Sequence, residues 1–534
     1  MSAYNAFNTA IPLNPSVKLY GEALALWREG KAKPAADKLD AALRLRPDFP
    51  EALSFGGYIL EQNGKADAAE RFYQRALRFK PDMWVAWSNL GKLQFSARRF
   101  ADALCAFDRG LALRSREADL HNSRASALRE LGRLEESLAA AHCALSLRDH
   151  YPEAALNLGN ALLKLGRSEE ALAAYRQAGV LRANYSDALC GEALSLRALN
   201  RLDEAREQFR AAEALDCREA VSGRGCLDLM LGDFANGWEG YEARWIAGRS
   251  LSDALGVRYP LWRGPERLGE RVLVLNDHGF GDTIQFSRYL SLMERAGAIC
   301  SFVVPRKLHR LIASASSAHL AEAPPGDRSF DAQIALSSLP RAFRTRLDTV
   351  TAETPYLRAE PALIRAWAER IGAHGFRVGV VWQGNPDPAA DMARSFPLHA
   401  LAPLAAIQDV RLISLQKGFG EAQIEALRGA FVVEDFAQQL DAGPDAFVDT
   451  AAAMANLDLI ISCDTSVAHL AGALARPAWI ALKFDAEWRW MRERDDSPWY
   501  PTARLFRQTT PGDWSGLFKR MATALKEALQ SRMP

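Results

Sequence analysis

The chain has 534 residues, enough for about three or four domains that each bury a core. Its 66 basic and 65 acidic side chains nearly cancel, leaving +1, so no basic stripe is present to neutralise nucleic-acid phosphates. No apolar run approaches the ~20 residues that span a bilayer, and the opening MSAYNAFNTAIPLNPS lacks a basic n-region and an apolar core; a cytoplasmic protein without a signal peptide is expected.

A leader, residues 1–15, precedes a repeat of about 34 residues that runs from Ser16 through Cys217. Small residues recur at its eighth position (Ala23, Gly57, Gly91, Ala125, Gly159, Ala193) and its twentieth (Ala35, Ala69, Ala103, Ser137, Ala171, Ala205). A bulky residue usually fills the twenty-fourth, as Leu39, Tyr73, Phe107, Tyr175 and Phe209 do, with Ala141 the exception. Small residues at two facing positions let paired helices approach closely while the bulky one fills the space beside them. Six such units in one register resemble the tetratricopeptide repeat, whose helical pairs bury a continuous core only by stacking. Leu229–Trp245 adds an irregular seventh unit, with Phe234, Trp238, Tyr241 and Trp245 at helical spacing as a buried cap. The array is therefore expected over 16–247, and its resemblance implies that its inner surface takes an extended acceptor polypeptide. Asn89, Asn122, Asn157 and Asn160 on first helices are the candidate contacts, because a carboxamide can pair with both N–H and C=O of a bound backbone. Phe55, Ser123 and Gly191 interrupt that asparagine series. Such arrays often pair, so a homodimer is also admitted.

Residues 248–270 carry glycine, proline and charge without a period and read as a linker. A strand follows at 271–276, then the loop 277–281, then a helix opening at Asp282. Gly279 and Gly281 suit a tight turn and a close backbone approach by substrate, but Ile284 stands where the dinucleotide fingerprint needs its third glycine. Further strands are expected at 298–304, 332–336, 377–382, 410–415, 431–433 and 457–462, with helices between, among them 449–456 and 465–474. Alternation in two blocks, 271–375 and 376–534, implies two doubly wound parallel sheets with the ligand at their strands' carboxyl ends.

The blocks GFGDTIQFSRYL, VVWQGNP, LISLQKG, DTAAAMANLDLIISCDTSVAHLAGALARP and DSPWYPTARLFRQ together resemble bacterial tetratricopeptide-linked glycosyltransferases related to lipopolysaccharide heptosyltransferases. The resemblance runs from about Trp262 to Trp514. It implies an α superhelix followed by an α/β GT-B glycosyltransferase of two Rossmann-like lobes, acceptor side first and nucleotide-sugar side second, closed by a final crossover helix. The implied chemistry is an inverting transfer from a nucleotide-sugar co-substrate, with no metal and no other cofactor. The implied acceptor is a Ser or Thr hydroxyl of a bound polypeptide, with flagellin one candidate. A lipid-linked saccharide acceptor and a catalytically inactive scaffold are the alternatives.

Asp282 matches the family's essential carboxylate and is a candidate general base; the same residue could instead cap its helix. His278, in the same loop, is the other candidate base. Asp464, Thr465 and Ser466 should open a helix whose free N–H groups favour a phosphate, with His469 one turn on. Gly279, Gly281 and Thr283 join this donor-binding set. Arg394 and Lys417 match positions near donor phosphates and would neutralise the leaving group. Asp387-Pro388-Ala389-Ala390 departs from relatives that carry histidine and lysine there. No Asp-x-Asp pair and no Cys-x-x-Cys pair occurs, so neither a divalent-ion clamp nor a zinc site is expected, and the seven cysteines read as reduced thiols. Trp488, Trp490, Trp499 and Tyr500 are expected to pack the late crossover onto the first lobe.

Overall fold

In the computed structural model, residues 14–245, 259–326, 329–350, 353–386, 391, 393–427 and 429–531 are described. Most of the expected leader, residues 248–258 of the expected linker and the segment 387–390 therefore lie outside the described residues. The chain divides into two compact units, 1–191 and 192–534.

The first unit is built of helical hairpins: α1 (Pro15–Arg28) with α2 (Ala32–Leu45), α3 (Pro50–Gln62) with α4 (Ala66–Phe79), and α5 (Trp84–Ser96) with α6 (Phe100–Leu113). The series continues with α7 (Ala118–Glu130) and α8 (Leu134–Leu147), α9 (Pro152–Lys164) and α10 (Ser168–Leu181), and α11 (Ser186–Ala198) enters the second unit. This is a tetratricopeptide-type superhelix. Its repeat pattern has a direct steric cause. A Cβ placed on Gly57 would lie 2.8 Å from the Tyr73 ring, on Gly91 2.5 Å from Phe107, and on Gly159 2.7 Å from Tyr175. Glycine thus stands at the eighth position in each of these repeats, opposite an aromatic twenty-fourth. Where the twenty-fourth is Leu39 or Ala141, alanine suffices at Ala23 and Ala125; the sixth unit departs from this pairing, with Ala193 at the eighth and Phe209 at the twenty-fourth, and there the Phe209 ring lies against Gly223. Each hairpin turns through one left-handed residue, namely Gly30, Gly64, Arg98, Gly132 and Gly166.

The second unit continues with α12 (Leu202–Glu213), α13 (Arg218–Met230) and α14 (Phe234–Tyr241), then two wholly parallel sheets. The first sheet has strands β1 (Arg271–Leu275), β2 (Ile299–Val303), β3 (His319–Ala321) and β4 (Ala332–Ala335), in the order β3-β2-β1-β4. The end of the expected linker is not structureless: Trp262 is buried, and Leu261 pairs with Gln333 beside β4. The second sheet has β5 (Phe376–Val381), β6 (Val410–Ser414), β7 (Val433–Asp435), β8 (Leu459–Cys463), β9 (Ala478–Leu482) and β10 (Ala503–Arg507). Its order is β10-β9-β8-β5-β6-β7. In each sheet the chain starts in the middle and later returns to the other side, so strand order reverses between β1 and β4 and between β5 and β8. Central β8 is buried along its whole length, which explains its uninterrupted apolar run.

The helices among these strands include α15 (Phe280–Phe286), α16 (Arg288–Arg295), α17 (Pro361–Ile371), α18 (Val448–Met454) and α19 (Ser466–Ala473). The last helix, α20 (Trp514–Gln530), does not form the expected crossover onto the first sheet. Its buried face, Leu517, Phe518, Met521 and Leu525, joins Trp382, Phe396 and Leu404 in the core of the second sheet. The Phe396 and Phe518 rings lie 4.6 Å apart. The aromatic run before it makes the connection instead. Arg288 of α16 donates to the Trp499 carbonyl at 2.9 Å, Phe286 meets the Trp499 ring edge-on, and Trp488 packs on Trp238 and Tyr241.

Candidate functional site

A cleft of about 1200 Å³ is lined from both sheets of the second unit. From the first come the loop after β1 and the start of α15; from the second, the loops after β5, β6 and β8 and the segment 483–489. This is where open parallel sheets bind ligands, at the carboxyl ends of strands beside an order reversal. His278, Gly279, Gly281, Asp282, Arg394, Lys417, Asp464, Thr465, Ser466 and His469 all line it; Thr283 does not.

The helix after β1 begins at Phe280, two residues before the expected start, with Gly279 at its cap. Asp282 consequently sits inside the first turn and does not cap. Its carboxylate pairs with the guanidinium of Arg489, which is only 6% exposed. The same guanidinium pairs with Glu487 and donates through Nε to Gln285 at 2.8 Å. Burial acts against the charge of Arg489, but Asp282 and Glu487 outweigh it and hold the group protonated. Thr283 is fully buried and donates to Asn276 at 2.7 Å and to the Gly279 carbonyl, so it braces the loop instead of facing a donor. Gly281 is also reassigned. A Cβ there would meet His469 at 3.0 Å and the Ser466 backbone at 3.5 Å, so the close approach it permits is that of α19, not of a substrate.

His278 Nδ1 stands 2.9 Å from Asp277, and its Nε2 stands 3.3 Å from the Tyr241 hydroxyl. The Asp277 side chain is 3% exposed and receives the Ser337 N–H at 3.2 Å and the Ser337 hydroxyl, with Arg244 at 3.5 Å. Burial pushes the Asp277 carboxyl up, but His278, Ser337 and Arg244 together hold it below its ordinary value. Tyr241 belongs to the aromatic stripe expected to be plain core. The stripe is buried at Phe234, Trp238 and Tyr241, yet Tyr241 also lines the cleft.

Across the cleft, Asp464 follows β8 and Ser466 opens α19. Thr465 stands at the cap without a side-chain cap bond; its hydroxyl pairs with Ser462 at 3.1 Å. Burial, reinforced by Glu487, pushes the Asp464 carboxyl up to about 6. His469 is 5% exposed, stacks on Trp490 at 5.4 Å and bonds Tyr500 through Nδ1 at 2.9 Å. Burial, with Arg489 adding to it, pulls that imidazole down to about 3, so it offers no positive charge to a phosphate. Arg394 lies against Gly384 and Thr465, where a Cβ on Gly384 would be 3.3 Å from two guanidinium nitrogens. Its Nε is buried and makes no hydrogen bond within the described protein. Lys417 lines the cleft and donates to the Ala437 carbonyl at 2.6 Å. Among the described residues no three His, Cys, Asp or Glu side chains are grouped to hold a metal ion.

On the repeats, Asn157 donates to Asn122 at 2.7 Å, and Asn160 accepts from the Tyr175 hydroxyl at 2.8 Å. Asn89 is half-buried on α5. The structure therefore joins Asn122 to Asn157, while Asn160 braces its own repeat. Arg489, Glu487, Asp277 and Tyr241 were missed as site residues. The signal available was an arginine between two tryptophans, Trp488 and Trp490, and an Asp-His pair after a strand.

Residues 20–83, 88–145 and 152–178 match the tetratricopeptide repeat family. Among curated proteins, the chain is 29% identical to Protein FlbA of Caulobacter vibrioides over 334 residues, 57% of this chain and 54% of that protein. It is 48% identical to the human Protein O-mannosyl-transferase TMTC2 over 67 residues, 12% of this chain and 8% of that one. The chain thus spans about half the length of the first relative and a small part of the second. Among solved structures, YrrB, described as a TPR protein with an unusual peptide-binding site, is 19% identical. It covers 35% of this chain and 97% of its own, with a TM-score of 0.31.

Proposed function

We propose that the second unit is a GT-B glycosyltransferase, its two sheets being the acceptor and donor lobes, and that the repeats hold a polypeptide whose Ser or Thr hydroxyl receives the sugar. The observation that carries this reading is the cleft itself. It brings the loop after β1, with two candidate bases, opposite a helix N-terminus and two cations, Arg394 and Lys417. A nucleoside diphosphate leaving group would place its charge on the first N–H groups of α19 and on the buried Arg394 Nε. With these cations in place the transfer is read as metal-independent and inverting, the base taking the acceptor proton on the face opposite the leaving group. A curated relative is a protein O-mannosyl-transferase by name, which supports a polypeptide acceptor. Flagellin, modified in the cytoplasm before export, fits such an acceptor. Among the described residues no helix is long and apolar enough to cross a membrane.

The test is thermal stabilisation of the full chain by UDP-, GDP-, ADP-, CMP- and dTDP-sugars, since a ligand that binds the folded state raises the melting temperature by mass action. A shift with one nucleotide class, diminished in Arg394→Ala, supports the reading. No shift with any class turns the molecule into a repeat scaffold with an inactive transferase fold.

A further inference from the structure

The proposed transfer needs a proton acceptor, and two side chains of one loop are placed to supply it. Asp282 is committed elsewhere. Its carboxylate is the partner of Arg489, and a proton on Asp282 would leave that buried guanidinium without half of its neutralising charge. His278 is placed differently. Its Nδ1 lies 2.9 Å from the Asp277 carboxylate without the alignment of a hydrogen bond, and an ionised carboxylate at that distance, which can only accept, favours the ring proton on Nδ1. Nε2 is then the bare nitrogen, and the Tyr241 hydroxyl at 3.3 Å is positioned to donate to it. The arrangement is fixed by the sheet: Asp277 follows β1, Ser337 follows β4, and their hydrogen bonds span the reversal between those neighbouring strands. His278 therefore lines the cleft at the first sheet's ligand-binding position, with Nε2 against the Tyr241 hydroxyl.

We propose that His278 is the general base of the transfer and that Asp277 is the residue that positions it; this rests on the transferase reading above. In the step, Nε2 leaves Tyr241 and takes the proton of the acceptor hydroxyl while that oxygen forms its bond to the sugar C1. The bond from C1 to the donor phosphate oxygen breaks, and its electron pair leaves with the nucleoside diphosphate. The imidazolium is held by Asp277 until it returns the proton to solvent. Asp282 anchors Arg489, and with it the segment 487–490, against α15.

His278→Gln, Asp277→Asn and Asp282→Asn in the full chain test this, each first compared with the wild type by thermal melting. Nucleotide release is then measured with the same five classes of nucleotide sugar, water serving as acceptor. His278→Gln is expected to lower kcat by about 100-fold or more with KM little changed, as loss of a general base does. Asp277→Asn should lower kcat by at least about 10-fold, and Asp282→Asn by less than His278→Gln. A larger loss in Asp282→Asn than in His278→Gln overturns the inference while the transferase stands. No release from any donor by the wild type overturns both. A ligand-free measurement guards against misfolded variants. Ring-nitrogen NMR of the wild type, with the His278 signals assigned by their loss in His278→Gln, should show the proton of the neutral ring on Nδ1 and Nε2 bare. A bare Nδ1 overturns the inference whatever the turnover.

Discussion

Arg489 of the second sheet's region and Asp282 of α15 form an ion pair across the cleft, between residues 207 apart in the chain. The guanidinium is held on three sides, by Asp282, Glu487 and Gln285, and lies 4.5 Å over the Trp488 ring. Two residues on, Met491 adopts a left-handed φ of 56°, a conformation that persists in a non-glycine residue only when its surroundings impose it. Arg489→Met should destabilise the second unit by about 2–4 kcal/mol, because it strands partly buried carboxylates. Asp282→Leu combined with Arg489→Met should recover part of that loss. Urea unfolding of the single and double variants measures the coupling, and strict additivity would deny it.

Donor binding gives a second prediction. Arg394→Ala removes the cation beside the α19 N-terminus and should weaken a nucleotide sugar by about 10- to 100-fold, the range of a lost charge-assisted hydrogen bond of ~1.5–3 kcal/mol. His469→Gln should change affinity far less, since that ring is neutral and faces Tyr500. Calorimetric titration with the nucleotide class that stabilises the protein would separate the two, and equal losses would contradict the assignment.

The repeats offer a pair of substitutions with opposite signs. Gly91→Ala places a methyl 2.5 Å from a Phe107 ring that is 1% exposed and cannot move aside. Overpacking of about 1–3 kcal/mol should exceed the gain of up to ~1 kcal/mol from alanine's helix propensity, so the array loses stability. Adding Phe107→Leu should restore it. Arg98, by contrast, holds a left-handed φ of 60° where Gly30, Gly64, Gly132 and Gly166 stand in other repeats. Arg98→Gly should therefore stabilise by about 0.5–1 kcal/mol. Both are read from thermal or urea unfolding of the full chain.

The contrast between Gly91 and Arg489 shows what sequence order carries. Gly91 and Phe107 belong to one repeat, so their complementarity recurs with the period and is legible before any coordinates. Asp464 and Ser466 are legible for a similar reason, since a buried strand that ends in Asp-Thr-Ser sets its own helix N-terminus. Arg489 depends on Asp282 and Gln285, some two hundred residues away, and no local pattern links them. The α20 face, Leu517, Phe518, Met521 and Leu525, announces an amphipathic helix but not which sheet it covers, and the expected crossover failed there. Short or edge strands were also silent: β3 has three residues, and in β10 Arg504 and Arg507 flank adjacent buried Leu505 and Phe506, without a period of two. Thr283 misled because its hydroxyl, adjacent to Asp282 in sequence, turns inward to Asn276.

Asp464 and His469, five positions apart around the start of α19, make opposite demands on pH. His469 titrates at about 3 in the folded chain, below its ordinary value of 6.5, so the unfolded chain binds the extra proton between these limits. Its contribution to stability is complete above pH ~6.5 and falls by about 1.4 kcal/mol for each unit of acidification in that window. Asp464 titrates at about 6 when folded, above its ordinary 3.8, so there the folded chain binds the extra proton. That contribution is complete below pH ~3.8 and is lost as pH rises through 6. Between about pH 4 and 6 the two slopes nearly cancel. His469→Gln should leave the Asp464 slope alone, so stability should rise as the pH is lowered from 6 to 4 relative to the wild type. Asp464→Asn should leave the His469 slope alone and steepen the acid loss over the same interval. Urea midpoints at three pH values for the two variants measure both slopes, and parallel pH profiles for wild type and variants would refute the opposition.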